Sequence, residues 1–231
     1  LRRRFLDITL SATSPDYFEA LRRYHRALKD RNQLLKNGSP REAEIVAFDK
    51  ALAPAAVAVC RHRVEALAVL NDQLTQAYAT VSESAETPEL RYRADADWAD
   101  EEGVLRQLRE GRSGDLALKT TRHGPHRDDL GFILAGKPAR EYASDGQQRS
   151  YVIALRLAQM GRFQEASGVA PVVLADDVLG ELDPQRRRAF WRAVSPDQQV
   201  IATGTEPPPA DERDWTVVDV SEGNFTPRES A

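Results

Sequence analysis

An apolar run ending in two adjacent carboxylates, Val172-Val173-Leu174-Ala175-Asp176-Asp177, is the first feature that could do chemistry. A buried parallel strand delivers the residues at its carboxyl end to the ligand crevice of an α/β sheet. Neighbouring strand residues face opposite ways. One carboxylate could therefore hold a divalent cation while the other positions or deprotonates an attacking water. A strand followed by an acidic turn is also common in ordinary folds, so the pair gains weight only from its neighbours. Upstream, Ser144-Asp145-Gly146-Gln147-Gln148 opens a long apolar segment. Such a helix start offers free N–H groups, partial positive charge and a hydroxyl, all suited to an anion. The same residues would serve equally as a plain helix cap. Downstream, Gly180-Glu181-Leu182-Asp183-Pro184 follows the carboxylates closely. Order and spacing together make the set specific.

Gly131-Phe132-Ile133-Leu134-Ala135-Gly136-Lys137-Pro138 fits the phosphate-loop pattern G-x-x-x-x-G-K-[ST] except at its last position. A phosphate loop needs flexible backbone, a lysine, and a Ser/Thr that opens a helix and holds Mg²⁺. Here the interior is bulky and apolar, and Pro138 has neither the hydroxyl nor an N–H to donate. The expected structure is a β-hairpin: residues 129–134, a turn at Ala135-Gly136-Lys137-Pro138, then residues 139–143 as the return strand.

The elements that must position these groups read as follows. Ser14-Pro15-Asp16 caps a helix over 14–37, with Phe18, Leu21, Tyr24, Leu28 and Leu35 on its apolar face and Asn37-Gly38 at its end. A longer helical pattern follows Pro40, carrying Ile45, Phe48, Leu52, Ala56, Val59, Leu67, Leu70, Leu74, Tyr78 and Val81; Pro54 is expected to kink or divide it. The short connection predicts an antiparallel helical hairpin. Residues 82–88 read as loop, 90–93 as a short strand, and 98–110 as a helix ending at Gly111; strands and loops are expected from Asp115. A helix over 147–160, apolar nearly all round, should be buried. Strand 171–177, a helix from Asp183 to Val194, strand 199–203 and a last strand 215–220 make an α/β unit with a parallel sheet. Residues 206–209 should form a surface loop, and the tail past Asn224 should fray.

The chain's 231 residues suffice for one sizeable core or two smaller units. No run approaches the roughly 18 apolar residues of a membrane span, and the basic start has no signal-peptide core behind it. One cysteine, Cys60, excludes an internal disulfide and agrees with a reducing cytoplasm. Net charge is −4, yet residues 1–37 carry +5 and the remainder −9. The basic start could track a phosphate backbone or be a solvated helix face. His25 and His62 read as helix-surface residues, and no Cys/His spacing suggests zinc.

Five stretches, LRRRFLD (1–7), RNQLLK (31–36), GPHRDDL (124–130), SDGQQRSYVIALRLAQ (144–159) and LADDVLGELDP (174–184), resemble the RecF family of bacterial DNA repair proteins, within the SMC-like group of ABC-type ATPase heads. The resemblance implies an α/β fold: the C-terminal part of an ABC-type ATPase head, a parallel-sheet lobe, with an inserted antiparallel helical arm. It divides the chain at 1–13 (end of the N-terminal ATPase lobe), 14–112 (arm or lid) and 113–231 (C-terminal lobe). In such proteins the Walker A phosphate loop precedes the LRRRFLD stretch, so it is expected upstream of Leu1. The resemblance further implies that Asp176 is the Mg²⁺-associated Walker B carboxylate and Asp177 the catalytic carboxylate, at a position often filled by glutamate. Ser144, Gly146 and Gln147 become the signature turn that meets the γ-phosphate of ATP on the opposite protomer. Asp183 joins the loop crossing that interface, and Thr203, where many ABC proteins place a histidine, becomes a γ-phosphate sensor. Ala175, Gly180 and Asp145 depart from the common pattern, and Asp145 adds negative charge beside the phosphate unless it turns away or pairs with Arg149.

The implied function is an ATP-dependent DNA-binding protein of recombinational repair and replication-fork maintenance. It dimerises on ATP, contacts DNA at the backbone, prefers gapped or single-strand/duplex junctions, and meets a RecR-type mediator. Weak DNA-stimulated ATPase activity belongs to the intact protein, and the 231 residues alone are expected to be inactive. The alternative is a non-catalytic module that docks to DNA or a partner without ATP. A related phage-defence ATPase is a third reading, and no effector domain is visible for it.

Overall fold

A computed structural model describes residues 2–38, 40–82, 85–95, 98–176, 183–205 and 214–228. Seven helices and seven strands lie among them: α1 (Arg2–Thr13), α2 (Pro15–Lys36), α3 (Glu42–Ser82), β1 (Pro88–Arg93), α4 (Glu101–Leu118), β2 (Asp129–Leu134), β3 (Lys137–Pro138), α5 (Ala139–Tyr142), α6 (Asp145–Ser167), β4 (Val173–Asp176), α7 (Pro184–Ala193), β5 (Val200–Thr203), β6 (Val218–Ser221) and β7 (Asn224–Pro227). None of the described helices is long and apolar enough to cross a membrane.

The α2 helix starts where its chemistry dictates. Ser14 accepts a hydrogen bond from the Tyr17 N–H, Pro15 occupies the first turn, and Asn37 ends it. Its buried face differs from expectation by one position, because Tyr17 is fully buried while Phe18 is half exposed. Tyr17 wins because its hydroxyl has partners inside, donating to Asp7 at 2.5 Å and accepting from Arg63 at 3.1 Å. α3 runs unbroken for 41 residues with Pro54 inside it, so the proline does not divide the helix. At 1.5 Å per residue it is about 60 Å long. It packs against α1, α2, β1, α4, α6 and α7, and these contacts offset the missing backbone bond.

Two buried arginines bolt the antiparallel α2–α3 pair to the rest. Arg31 donates from Nε to Asp49 at 2.7 Å and from Nη1 to Asp115 at 2.7 Å and Thr121 at 2.8 Å. Arg63 donates to Asp7 at 2.8 Å, to the Tyr17 hydroxyl, and to the Pro125 carbonyl at 2.8 Å. These ties explain why α4 does not end at Gly111. The helix continues to Leu118 because buried Val104, Leu108 and Asp115 hold it against its neighbours, which outweighs the low helix propensity of glycine. Asp115 is therefore helical and buried, not the start of a strand-and-loop region.

The small sheet has order β1-β2-β3 and is antiparallel, with Leu90 opposite Phe132 and Leu134 opposite Lys137. The 131–138 stretch is thus a hairpin, but a tighter one than expected. Ala135 and Gly136 alone make the turn, both at positive φ (49° and 77°), as a two-residue hairpin loop requires. Lys137 and Pro138 pair back, and residues 139–142 form α5 in place of a return strand.

β4 and β5 are parallel, Asp176 opposite Thr203. One face buries Val173 and Ala175 against Ile153, Phe190, Trp191 and Val194. Leu174 and Ile201, on the other face, are 74% and 55% exposed. α6 buries Tyr151, Ile153, Ala154, Leu155 and Ala158 but exposes Val152, so it is a two-sided wall and not buried all round. β6 does not extend the parallel pair. It forms a separate hairpin with β7, so the segment expected to fray is a strand from Asn224 to Pro227.

Removing the Arg31 guanidinium should leave Asp49 and Asp115 short of their counter-charge in the interior. The Arg31→Ala variant is expected to lose about 3–5 kcal/mol in urea denaturation. Arg31→Lys should recover little of that loss, since a lysine cannot supply a planar fork of donors.

Candidate functional site

Asp176 ends β4 and is exposed, as a strand terminus at a sheet's carboxyl edge should be. Its cross-strand partner Thr203 donates from Oγ1 to Asp176 Oδ1 at 2.6 Å. The hydroxyl holds one carboxylate oxygen and leaves the other lone pairs open. Asp177 lies outside the described residues, as do residues 178–182 and the 206–209 loop.

The turn at 144–147 is a reciprocal capping box. Ser144 Oγ accepts from the Gln147 N–H at 3.3 Å, and Gln147 Oε1 accepts from the Ser144 N–H at 2.7 Å. Gln147 is anchored in turn by donating to Glu86 at 2.7 Å. The box consumes the Gln147 and Ser144 N–H groups; those of Asp145 and Gly146 have no acceptor among the described residues. That pair of donors at the positive end of a 23-residue helix fits a phosphate oxygen.

Asp183 caps α7, accepting from the N–H groups of Gln185 and Arg186 at 3.1 and 3.0 Å. Those bonds, first the one from Arg186, hold its carboxyl below the usual range. Arg186 then joins the two helix starts: it pairs with Asp183 and donates from Nε to the buried Ser150 of α6 at 2.9 Å. A Cβ added at Gly146 would sit 3.0 Å from Arg186 Nη2, so glycine there admits the arginine. Ser144, Gly146, Gln147 and Asp183 are therefore one mechanical unit. Sequence reasoning missed Arg186; its place three residues after a capping aspartate, on the same helical face, was the available signal.

Asp176 lines a groove of about 740 Å³ that runs along α6 just past that unit. Gln148, Arg149 and Val152 of α6 form one wall, and Val172–Asp176 form the other. The donors present suit a nucleotide in part: a carboxylate and hydroxyl for a divalent cation, and backbone N–H groups with a serine for phosphate oxygens. The lysine of a phosphate loop is not supplied by residues 131–138. Lys137 opens the return strand β3, with its ammonium 5.5 Å from the Tyr142 ring centre. Among the described residues no cluster of three or more His, Cys, Asp or Glu side chains could hold a metal by itself.

The 124–130 stretch packs inward. His126 Nε2 donates to the Thr121 carbonyl at 3.1 Å, and Nδ1 lies 2.6 Å from the Tyr24 hydroxyl, which donates to it when the ring is neutral. Burial holds His126 below its ordinary pKa. Asp128 accepts from the Tyr92 hydroxyl, the Asp95 N–H at 2.7 Å and the Trp98 indole at 3.2 Å. Cys60, beside it, is buried and pushed up to about 12, so its thiol is inert. His25 is exposed on α2, as expected of a helix-surface residue, and desolvation lowers its pKa.

No family model matches the chain. Among curated proteins, the chain is 40% identical over 213 residues to the DNA replication and repair protein RecF of Heliobacterium modesticaldum, covering 88% of this chain and 57% of that protein. It is 39% identical over 220 residues to the RecF of Chloroflexus aurantiacus, covering 89% and 56%. The chain thus spans rather more than half the length of these relatives. A solved structure described as the recombination mediator protein RecF-ATP in the RecFOR pathway superposes with a TM-score of 0.85 at 26% identity, over 99% of this chain and 62% of that one.

Because the folded chain keeps His126 neutral while the unfolded chain protonates it near pH 6.5, its share of stability is full above that pH. It is lost as pH falls through 6.5 toward the depressed folded value. Urea midpoints between pH 7.5 and 5.5 should fall for the wild type and fall less steeply for His126→Gln, with His25 supplying part of what remains. Equal slopes for the two proteins would exclude His126 as the cause.

Proposed function

The chain belongs to the RecF family along the stretch it shares with those relatives, and from that premise we propose that it is part of an ATP-dependent DNA-binding protein of replication and recombinational repair. The observation that carries the reading is Asp176 at the carboxyl end of a parallel strand, held by Thr203 and lining a groove whose opposite wall is α6. Strands β4 and β5 are parallel and covered on one face only, and parallel sheets are normally covered on both. A phosphate-loop segment seated on the open face would bring its lysine to the same edge as Asp176.

ATP, when bound, supplies a transferable phosphoryl group and the charge that can hold two heads together. Asp176 would hold the accompanying Mg²⁺, with Thr203 fixing the carboxylate's orientation and sensing the γ-phosphate. Asp177 would orient and deprotonate the attacking water. Ser144, Gly146 and Gln147 would meet the γ-phosphate of the nucleotide on a second copy, and Asp183, tied to that turn through Arg186, would lie in the interface between copies. The proposed division remains 1–13, 14–112 and 113–231, the middle part serving as a short arm over one head. DNA would be held by its backbone, since no base-reading motif appears, and a RecR-type mediator is the expected partner. The hairpin at 131–138 favours a second reading for the 231 residues alone: a docking module without nucleotide binding.

Equilibrium binding of ATP·Mg²⁺ should be weak for this chain by itself and gained when it is joined to the phosphate-loop segment of a relative. Comparable binding by the bare chain would undo the assignment. In the joined protein, Asp177→Asn should keep ATP binding and dimerisation while slowing turnover by about a hundredfold, the scale of a lost general base. Unchanged turnover would remove Asp177 from that role.

A further inference from the structure

A second cleft, of about 780 Å³, opens on the other side of α6, which it shares with the groove through Gln148 and Val152. Its walls are α1, α2, the β1–β2 sheet and α5. Six arginines and three carboxylates line it. Two of the carboxylates are already matched, Asp129 by Arg2 and Asp7 by Arg63, and Arg3 is held by the Asp128 carbonyl at 3.0 Å. That leaves Arg4, Arg93 and Arg140, from three different elements, with no ion pair or side-chain hydrogen bond among the described residues. All three are exposed, and only Glu141 opposes them.

We infer that this cleft binds phosphate groups of a single-stranded nucleic acid, with Arg4, Arg93 and Arg140 as the contacting cations. Three unmatched guanidiniums gathered on one concavity of a chain whose net charge is −4 form a local positive island. Like charges so placed repel one another until an anion enters, and a guanidinium fork matches phosphate oxygens two at a time. The floor adds an aromatic surface: half-buried Phe132 is stacked on Tyr151, ring centres 5.5 Å apart and 25° from parallel. A basic groove over an aromatic platform is the arrangement that holds a strand by its backbone while tolerating any base. The cleft is also where the excess basic charge of residues 1–37 arrives, through Arg2, Arg3 and Arg4. The inference rests on the DNA-binding reading and gives it a location. The same chemistry could take the phosphates of a free nucleotide, and the experiment separates the two sources.

Fluorescence anisotropy of a labelled 20-nucleotide oligo-dT, titrated with this chain across a salt series, reads the site directly. The triple variant Arg4→Gln/Arg93→Gln/Arg140→Gln should bind at least about tenfold more weakly, with the slope of log affinity against log salt shallower by about 2. A matched triple on the outer face of α2, Arg22→Gln/Arg23→Gln/Arg26→Gln, should change the slope by less than half as much. Wild-type oligonucleotide binding that survives in the cleft variant, or falls equally in the α2 variant, overturns the cleft assignment and leaves the DNA-binding reading standing. Absence of oligonucleotide binding by the wild type overturns the strand as occupant. Tripolyphosphate binding lost only in the cleft variant then assigns the site to free phosphates, and no binding of either probe overturns the site itself. Circular dichroism of both variants, expected to match the wild type because all six positions are at the surface, keeps a folding defect from passing as a binding defect.

Discussion

A guanidinium cut off from water must find acceptors inside the protein, in the few directions its planar fork allows. Arg31 and Arg63 impose that demand at two points along the α2–α3 pair, and the surrounding structure is arranged to meet it. Asp7 comes from α1, Asp49 from α3, Asp115 from α4, Thr121 and the Pro125 carbonyl from the loop before β2. A hydrophobic contact tolerates sliding, whereas these bonds do not. The arginines thereby set the orientation of four segments, α1, α2, α4 and the loop before β2, relative to the long helix α3. Of the nitrogens of these two guanidiniums, Arg31 Nη2 is the one left without a partner among the described residues.

From that block the constraint passes to the site. Gln159 of α6 donates to Thr9 of α1 at 2.7 Å, and Tyr151 of α6 donates to the Glu89 carbonyl of β1 at 2.8 Å. α6 is thus held on both flanks before its first turn presents any N–H group to solvent. Arg186 extends the hold to α7. The result is a wall with a largely apolar groove, edged by Asp176, on one side and a basic cleft on the other. Strands β4 and β5 lean on it with one apolar face covered and one open.

The parts of this that could be read from sequence are those whose causes are local. Ser14, Asp183 and Ser144 announce helix starts because the cap is made by the residue itself and a neighbour two or three positions on. The hairpin at 131–138 was legible because bulky apolar residues and Gly136 suit nothing else. Asp176 and Thr203 were each visible as strand ends, and their 2.6 Å bond follows once the strands are parallel and in register. Errors arose where a distant partner decided. Phe18 satisfies the helical period as well as Tyr17 does, but only a hydroxyl can answer Arg63 and Asp7. Gly111 has a stop signal's composition, yet Asp115 is claimed by Arg31 from 84 residues away. The 139–142 helix and the separate β6–β7 hairpin depended on neighbours that alternation of apolar residues does not reveal.

By itself, then, the sequence determined the helix caps, the long apolar faces, the parallel strand–helix–strand unit and the identity of Asp176, Thr203 and the Ser144 turn. These depend on bonds spanning a few residues or on periodicity along one element. Only the tertiary structure decided which side chains those faces bury, that Arg186 locks the α6 turn to Asp183, and that Arg4, Arg93 and Arg140 share one concavity. Such groupings are properties of the distance between elements, and that distance is set by buried charges needing partners far away along the chain.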